Sequence, residues 1–298
     1  MIAMSFRFPA RTMARGAACA VALFCASAFA ASTGSVDLEP RWQQGAQVDY
    51  LLTKTGMASV GGVVKVNTTN TTPVHVAVVA VEPNAYVLSW TFGETRFDEA
   101  AAAAMNPMMK KMAGVMVGRQ MLLRVDRRGH LVEVSNWQAI REAGDALAGE
   151  VAATLAQSGV PGSQASAAVA QFKGRFASEQ SVRAIATREA QLLLLALGHR
   201  YDRARPIEFA AIVPNPIGDG FASVTEHVEL KSLDAAATLE WTQVAASVGT
   251  GPGRAGSPSV RGRAIIDTAT GWPASVSQTT SASADDVERK ETTSLARQ

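Results

Sequence analysis

Few side chains in this chain could do chemistry. The four histidines, His75, His130, His199 and His227, stand singly along 298 residues, and none has a second histidine or a cysteine at metal-ligand spacing. A zinc site without cysteine needs clustered histidine and carboxylate, so neither a metal nor a cofactor is expected. His75 reads as a side chain on the second face of a strand, and His199 as a favourable charge at a helix C-terminus. Glu226 and His227 place an acid beside a base, but neighbours on a strand point to opposite faces and cannot serve one substrate together. There is no G-x-S-x-G elbow and no glycine-rich loop between a strand and a helix. A hydrolase or isomerase would need carboxylates brought together by folding. The chain is expected to be non-enzymatic.

The segment around Pro107 is the more distinctive one. Met105, Met108, Met109, Met112 and Met116 fall on one face at helical spacing. Flexible thioethers suit an adaptable apolar surface, which would make the segment a lid over a ligand such as a lipid chain. Thioethers also favour Cu(I), and a core-facing amphipathic helix is the plainest reading of the same spacing. With Trp90, Leu193 and Leu197, these methionines form the contact set expected for an apolar ligand. Lys110 and Lys111 read as a solvated face.

These residues must be positioned by strands, then helices, then strands. Val48, Tyr50 and Leu52, then Val74, Val76 and Val78, then Tyr86, Leu88, Trp90 and Phe92 alternate with less apolar residues, the period of half-buried strands. Turns are expected at Gly56, Asn67 to Pro73 and Pro83-Asn84, giving about four antiparallel strands over residues 46–95. A helical middle follows over 97–198, interrupted by a hairpin near 117–134 with Arg127-Arg128-Gly129 at its turn. Ser135 to Gln138 matches a capping box and opens a helix with Ile140, Gly144, Leu147, Val151 and Leu155 on one stripe. Val182, Ala186, Ala190, Leu193 and Leu197, widened by Ile185 and Leu192, then form the apolar stripe of one central helix from Ser178 to Leu197. Pro206 to Gly220 reads as an extended loop, strands are expected over 221–281, and Asp285 to Gln298 reads as a polar edge strand or a tail. Runs of strands around a helical insert make an α+β fold: a curved, mostly antiparallel sheet with the helices on its concave face.

The first thirty residues read as a signal peptide. Arg7, Arg11 and Arg15 precede an apolar stretch that ends in Ala28-Phe29-Ala30, a small-x-small cleavage pattern. Residues 31–298 then form a single domain in the periplasm or secreted. Cys19 and Cys25 both lie in the signal, so disulfides cannot hold the mature fold. Subtracting the three arginines from the 28 basic residues leaves 25 against 26 acidic ones. The mature chain is nearly neutral and has no basic stripe for nucleic acid. Arg183, Arg188 and Glu189 inside the central helix argue against a membrane span, since each would cost roughly 2.5 kcal/mol or more at a bilayer centre.

The order of an export signal, an opening strand from Trp42 to Tyr50, a helical middle, the run Pro214 to Phe221 and the closing GRAIIDTATG of Gly262 to Gly271 resembles a family of uncharacterised secreted bacterial proteins. That family often has a tryptophan after the Gly-Asp step, where this chain has Gly220 and Phe221. The layout is also similar to the half-barrel of periplasmic lipoprotein carriers, which implies a curved sheet able to hold acyl chains. The expectation is therefore an envelope protein binding an apolar ligand. The alternative is an interaction or scaffold module, with a filled core and an envelope protein as partner.

Overall fold

The computed structural model describes residues 34–105, 114–174, 176–214, 221–245, 259–284 and 286–298. Residues 1–33, Met108, Met109, Met112 and the glycine-rich run 250–258 lie outside them. Fourteen strands are described: β1 (Ser35–Leu38), β2 (Gln47–Val60), β3 (Val63–Val81), β4 (Ala85–Phe92), β5 (Arg96–Phe97), β6 (Gln120–Asp126), β7 (Leu131–Val134), β8 (His199–Asp202), β9 (Ile207–Pro214), β10 (Phe221–Leu233), β11 (Ala236–Ala245), β12 (Ser259–Asp267), β13 (Pro273–Ala284) and β14 (Val287–Arg297). The helices are α1 (Glu99–Ala104), α2 (Trp137–Gln157), α3 (Gly162–Gly174), α4 (Glu179–Ala186) and α5 (Arg188–Leu194). The expected α+β class holds: one large antiparallel sheet runs β7-β6-β4-β3-β2-β14-β13-β12-β11-β10-β9, open rather than closed into a barrel. A separate two-stranded ribbon pairs β1 with β8.

Nearly every neighbour in the sheet is a hairpin partner. The exceptions are β4–β6, linked through β5 and α1, and β2–β14, and the second decides the architecture. β14, expected as an edge or a tail, is a central strand that pairs with β13 on one side and with β2 on the other, so the end of the chain joins the two halves of the sheet. Its side chains hide this role, because of its eleven residues only Leu295 is buried.

The turns expected at Gly56 and at Asn67 to Pro73 lie within strands instead. The chain reverses at Gly61-Gly62, both at positive φ, between the paired Val60 and Val63. That is the backbone a two-residue hairpin demands and glycine supplies. β3 then runs through Pro73, whose carbonyl accepts from Gly93 N–H. The missing Pro73 N–H therefore faces the gap between β5, which pairs as far as Thr71, and β4, which pairs from Val74. No ladder bond is lost there. Pro206 to Gly220 likewise is not all loop, since β9 pairs with β10 over eight residues.

The central helix is broken into α4 and α5. At the break, Thr187, fully buried, turns its hydroxyl back onto Arg183 O (2.5 Å) and accepts from Gln191 Nε2, the i−4 back-bonding that bends helices, while its backbone still bonds Arg183 O and Gln191 N–H. The stripe survives the break, with Val182, Ala186, Ala190, Leu193 and Leu197 all buried, but Ile185 is exposed. Burial of a leucine of this kind contributes roughly 1.5–3 kcal/mol. The capping box at Ser135 is not formed either. Asn136 is the N-cap without a side-chain cap bond, because its amide is used on β6, accepting from Leu122 N–H and donating to Gln120 O, both at 2.8 Å.

The same helices finish the sheet. At the β7 edge, Glu179 accepts from Val134 N–H and Arg183 donates to Val132 O, so α4 covers main-chain groups that an open edge would leave bare. Lys54 on β2 meets Glu189 of α5 at 2.5 Å, which ties the helix to the middle of the sheet. At the opposite end Trp42 stacks on Trp272 (4.4 Å) and Tyr86 donates to Pro40 O, so the segment after β1 closes the base of the core.

Candidate functional site

The inner face of the sheet is set by strand alternation. On β2 it carries Val48, Tyr50, Leu52 and Lys54, with Lys54 reaching α5. Following the register outward from Lys54 gives Thr293, Gln278, Gly262, Trp241 and Val228. The next row includes Thr280, Val260, Gln243, Glu226 and Phe209. Moving away from the helices, the face therefore changes from leucine and valine to threonine, glutamine and glutamate.

Three polar side chains of these two rows are buried together. Glu226 on β10 and Gln243 on β11 are direct cross-strand partners, 2% and 6% exposed, and Gln243 Nε2 donates to Glu226 Oε1. Glu226 Oε2, Gln243 Oε1 and Trp241 Nε1 have no protein partner. Trp42 and Trp90 also bury an unpartnered indole N–H, but the β10–β11 pair alone gathers an acid, an amide and an indole on one face. A buried polar group left without a bond costs about 1–3 kcal/mol. Burial pushes the Glu226 carboxyl above its ordinary range, and the Gln243 bond offsets only part of that. Trp241 lies flat across Gly262, where an added Cβ would fall 2.0 Å from the ring. Tyr201 of β8 packs nearby; burial, and then the Glu226 charge, push its phenol up.

A ring stack flanks this cluster. Phe209, opposite Glu226 on the ladder, lies parallel to His199 with centroids 5.2 Å apart, and His199 meets His130 edge-on at 5.7 Å. His130 belongs to the turn joining β6 and β7. Its Nδ1 lies 3.0 Å from Asp126 Oδ2, while Asp126 Oδ1 accepts from the His130 and Arg128 N–H groups. Burial pushes the Asp126 carboxyl up, but these bonds outweigh it and hold it below the usual range. Burial, then the His130 and Arg128 charges, lower His199. His199 begins strand β8, beyond the end of α5 at Leu194.

The expected contact residues separate. Trp90, Leu193 and Leu197 lie in the packed core at 0–1% exposure. Met105 follows α1 half-buried, and Met116 packs partly against the core. Met108, Met109 and Met112 lie outside the described residues. Glu226 and His227 do diverge as strand geometry requires, His227 Nδ1 pairing with Glu208 Oε1 at 2.9 Å. Sequence reasoning passed over Gln243 and Trp241. Their only local signal is i, i+2 spacing on a strand, polar next to aromatic, and their link to Glu226 comes from pairing. Among the described residues no group of three or more His, Cys, Asp or Glu could hold a metal ion. No described helix is long and apolar enough to cross a membrane.

No family model matches the chain, and no curated protein matches it. Among solved structures it is similar to one described as "Lipid-protein interactions in lipovitellin", at 7% identity and a TM-score of 0.43, over 86% of this chain and 25% of that one. The chain thus spans about a quarter of that protein, and a likeness this slight carries no functional argument.

Proposed function

We propose that this is an exported binding protein for a largely apolar, amphipathic ligand such as a lipid chain, held between the inner face of the sheet and α4–α5, with its polar end at Glu226, Gln243 and Trp241. The observation that carries the reading is the trio of buried, unpartnered polar atoms on adjacent strands, Glu226 Oε2, Gln243 Oε1 and Trp241 Nε1. They offer one fixed donor and two acceptors beside the apolar Val228 and Leu230, the mixture that orients a ligand in an apolar site. A hydroxyl or amide of the ligand would satisfy them. Export is supported by the arginine-led N-terminus with its small-x-small end.

A second reading, an interaction module with a filled core, is favoured by the complete burial of Trp90, Leu193 and Leu197. An acid-catalysed enzyme is favoured less, because the partner of Glu226 is an amide rather than a second carboxylate.

The test is native mass spectrometry of protein isolated from its own host, with organic extraction, followed by titration with a fluorescent fatty alcohol and fatty acid. A stoichiometric extracted lipid, and probe binding weakened about tenfold in Gln243→Leu, are expected, the size corresponding to one lost buried bond. Protein that is empty and takes up neither probe refutes the reading and favours the filled module.

A further inference from the structure

The large sheet is open, yet its two ends are joined through aromatic rings. The β6–β7 turn at one end supplies His130, β9 at the other supplies Phe209, and His199 of the β1–β8 ribbon lies between them in contact with both. Gly198, at φ +80°, lets the chain pass so closely that a Cβ there would fall 2.6 Å from His130 Nε2. Arg128 Nη2 donates to Gly198 O at 2.5 Å, which fixes a positive charge beside His199.

We infer that the His130–His199–Phe209 stack is an acid-sensitive latch across the seam of the sheet, which controls access to the Glu226–Gln243 site. The inference rests on reading that site as the ligand site.

The charges around the stack decide its response. The β6–β7 turn presents Asp126, Arg128 and His130; β8 presents His199 and Tyr201, with Arg200 engaged by Asp37 of β1 at 3.8 Å; β9 presents Phe209; β10 presents Glu226. Asp126 and Arg128 oppose one another beside the stack, and the lowered His199 is neutral at neutral pH. Asp126 is already engaged by His130 Nδ1 and by the His130 and Arg128 N–H groups. Protonating His199 then adds a cation facing Arg128 and His130 with no anion left to match it. Burial also disfavours that cation, so the closed stack holds His199 neutral. The sign follows: the contribution of His199 to closure is complete above its unfolded value of roughly 6.5 and is lost as pH falls through its lower value in the closed stack. Acid therefore loosens β8 from β9 and bares Phe209, the cross-strand neighbour of Glu226.

Hydrogen exchange of the full mature chain at pH about 7.5 and about 5, corrected for intrinsic exchange, reads this directly. The expected result is that protection of His199–Asp202 and Ile207–Phe209 falls severalfold at the lower pH, while β2 and β3 change far less. His199→Phe, which keeps a stackable ring without a charge, should abolish the difference and leave protection at pH 7.5 unaltered. His130→Gln, outside the core, should halve or more the difference and guards against misfolding of the first variant. Equal protection of β8 and β2 at both pH values, or an undiminished acid response in both variants, overturns the latch. Stopped-flow uptake of the fatty alcohol separates the two readings. Uptake that is equally fast at both pH values refutes the latch and leaves the ligand site standing, whereas acid loosening without uptake at either pH supports the latch as a mechanical device and refutes the ligand site.

Discussion

Gly262→Ala is the sharpest probe of the inner face. The new methyl would lie 2.0 Å from Cε2 and Cζ2 of Trp241, against an ordinary carbon contact of about 3.5 Å or more, so the indole must retreat by roughly 1.5 Å. Trp241 is 2% exposed and has little room to do so. Inserting a methylene-sized group into a packed core costs about 1–3 kcal/mol, and the upper half of that range applies because the obstruction is a rigid ring. In urea unfolding followed by far-UV circular dichroism, Gly262→Ala should lower the midpoint with the slope unchanged. At about 2–4 °C per kcal/mol for a domain approaching this size, melting should fall by roughly 4–12 °C. Trp241→Leu will itself destabilise, but in that background Gly262→Ala should cost under about 0.5 kcal/mol, and the cycle isolates the clash. A single variant as stable as the parent, or a cost that persists without the indole, would show that Trp241 does not lie on Gly262 and would remove the floor of the proposed site.

Truncation after Asp286 removes β14 and with it both ladders that join the halves of the sheet; the shortened chain should lose cooperative unfolding and be digested rapidly by a non-specific protease, and a chain that still melts sharply would refute the central placement. Asn136→Ala removes the bonds to Leu122 N–H and Gln120 O, so it should cost about 1 kcal/mol, more than the few tenths expected if Asn136 were only an exposed loop residue. Glu226→Gln should shift stability in a pH-dependent way. The carboxyl is raised in the fold, so the parent holds its full stability below the ordinary carboxylate range and loses it as pH rises through the elevated value. The variant should gain on the parent as pH rises above the ordinary carboxylate range, and parallel stability curves would show that Glu226 is not buried.

Much of the element order was legible from local pattern. The β6–β7 hairpin, the strands around Val48, Val228 and Ile266, and the buried stripe from Val182 to Leu197 all follow from periods of two or 3.6 residues and from turn chemistry that acts over a few positions. The errors arose where side chains or neighbouring strands, rather than the local period, decided the backbone. Asn136 left its cap for β6, Thr187 broke a helix whose stripe stayed intact, and Pro73 sat harmlessly in a strand because the neighbouring ladder has a gap there.

The sequence by itself determined where most strands and helices run, because solvation and backbone sterics act residue by residue, and it determined that Glu226 and His227 face opposite ways. Only the tertiary structure decided that β14 lies in the middle of the sheet, that Glu226 meets Gln243 beside Trp241, and that His130, His199 and Phe209 stack across its seam. Those contacts depend on strand order and on the curl of the sheet, which arise from the sum of many long-range pairings and leave no period in the chain.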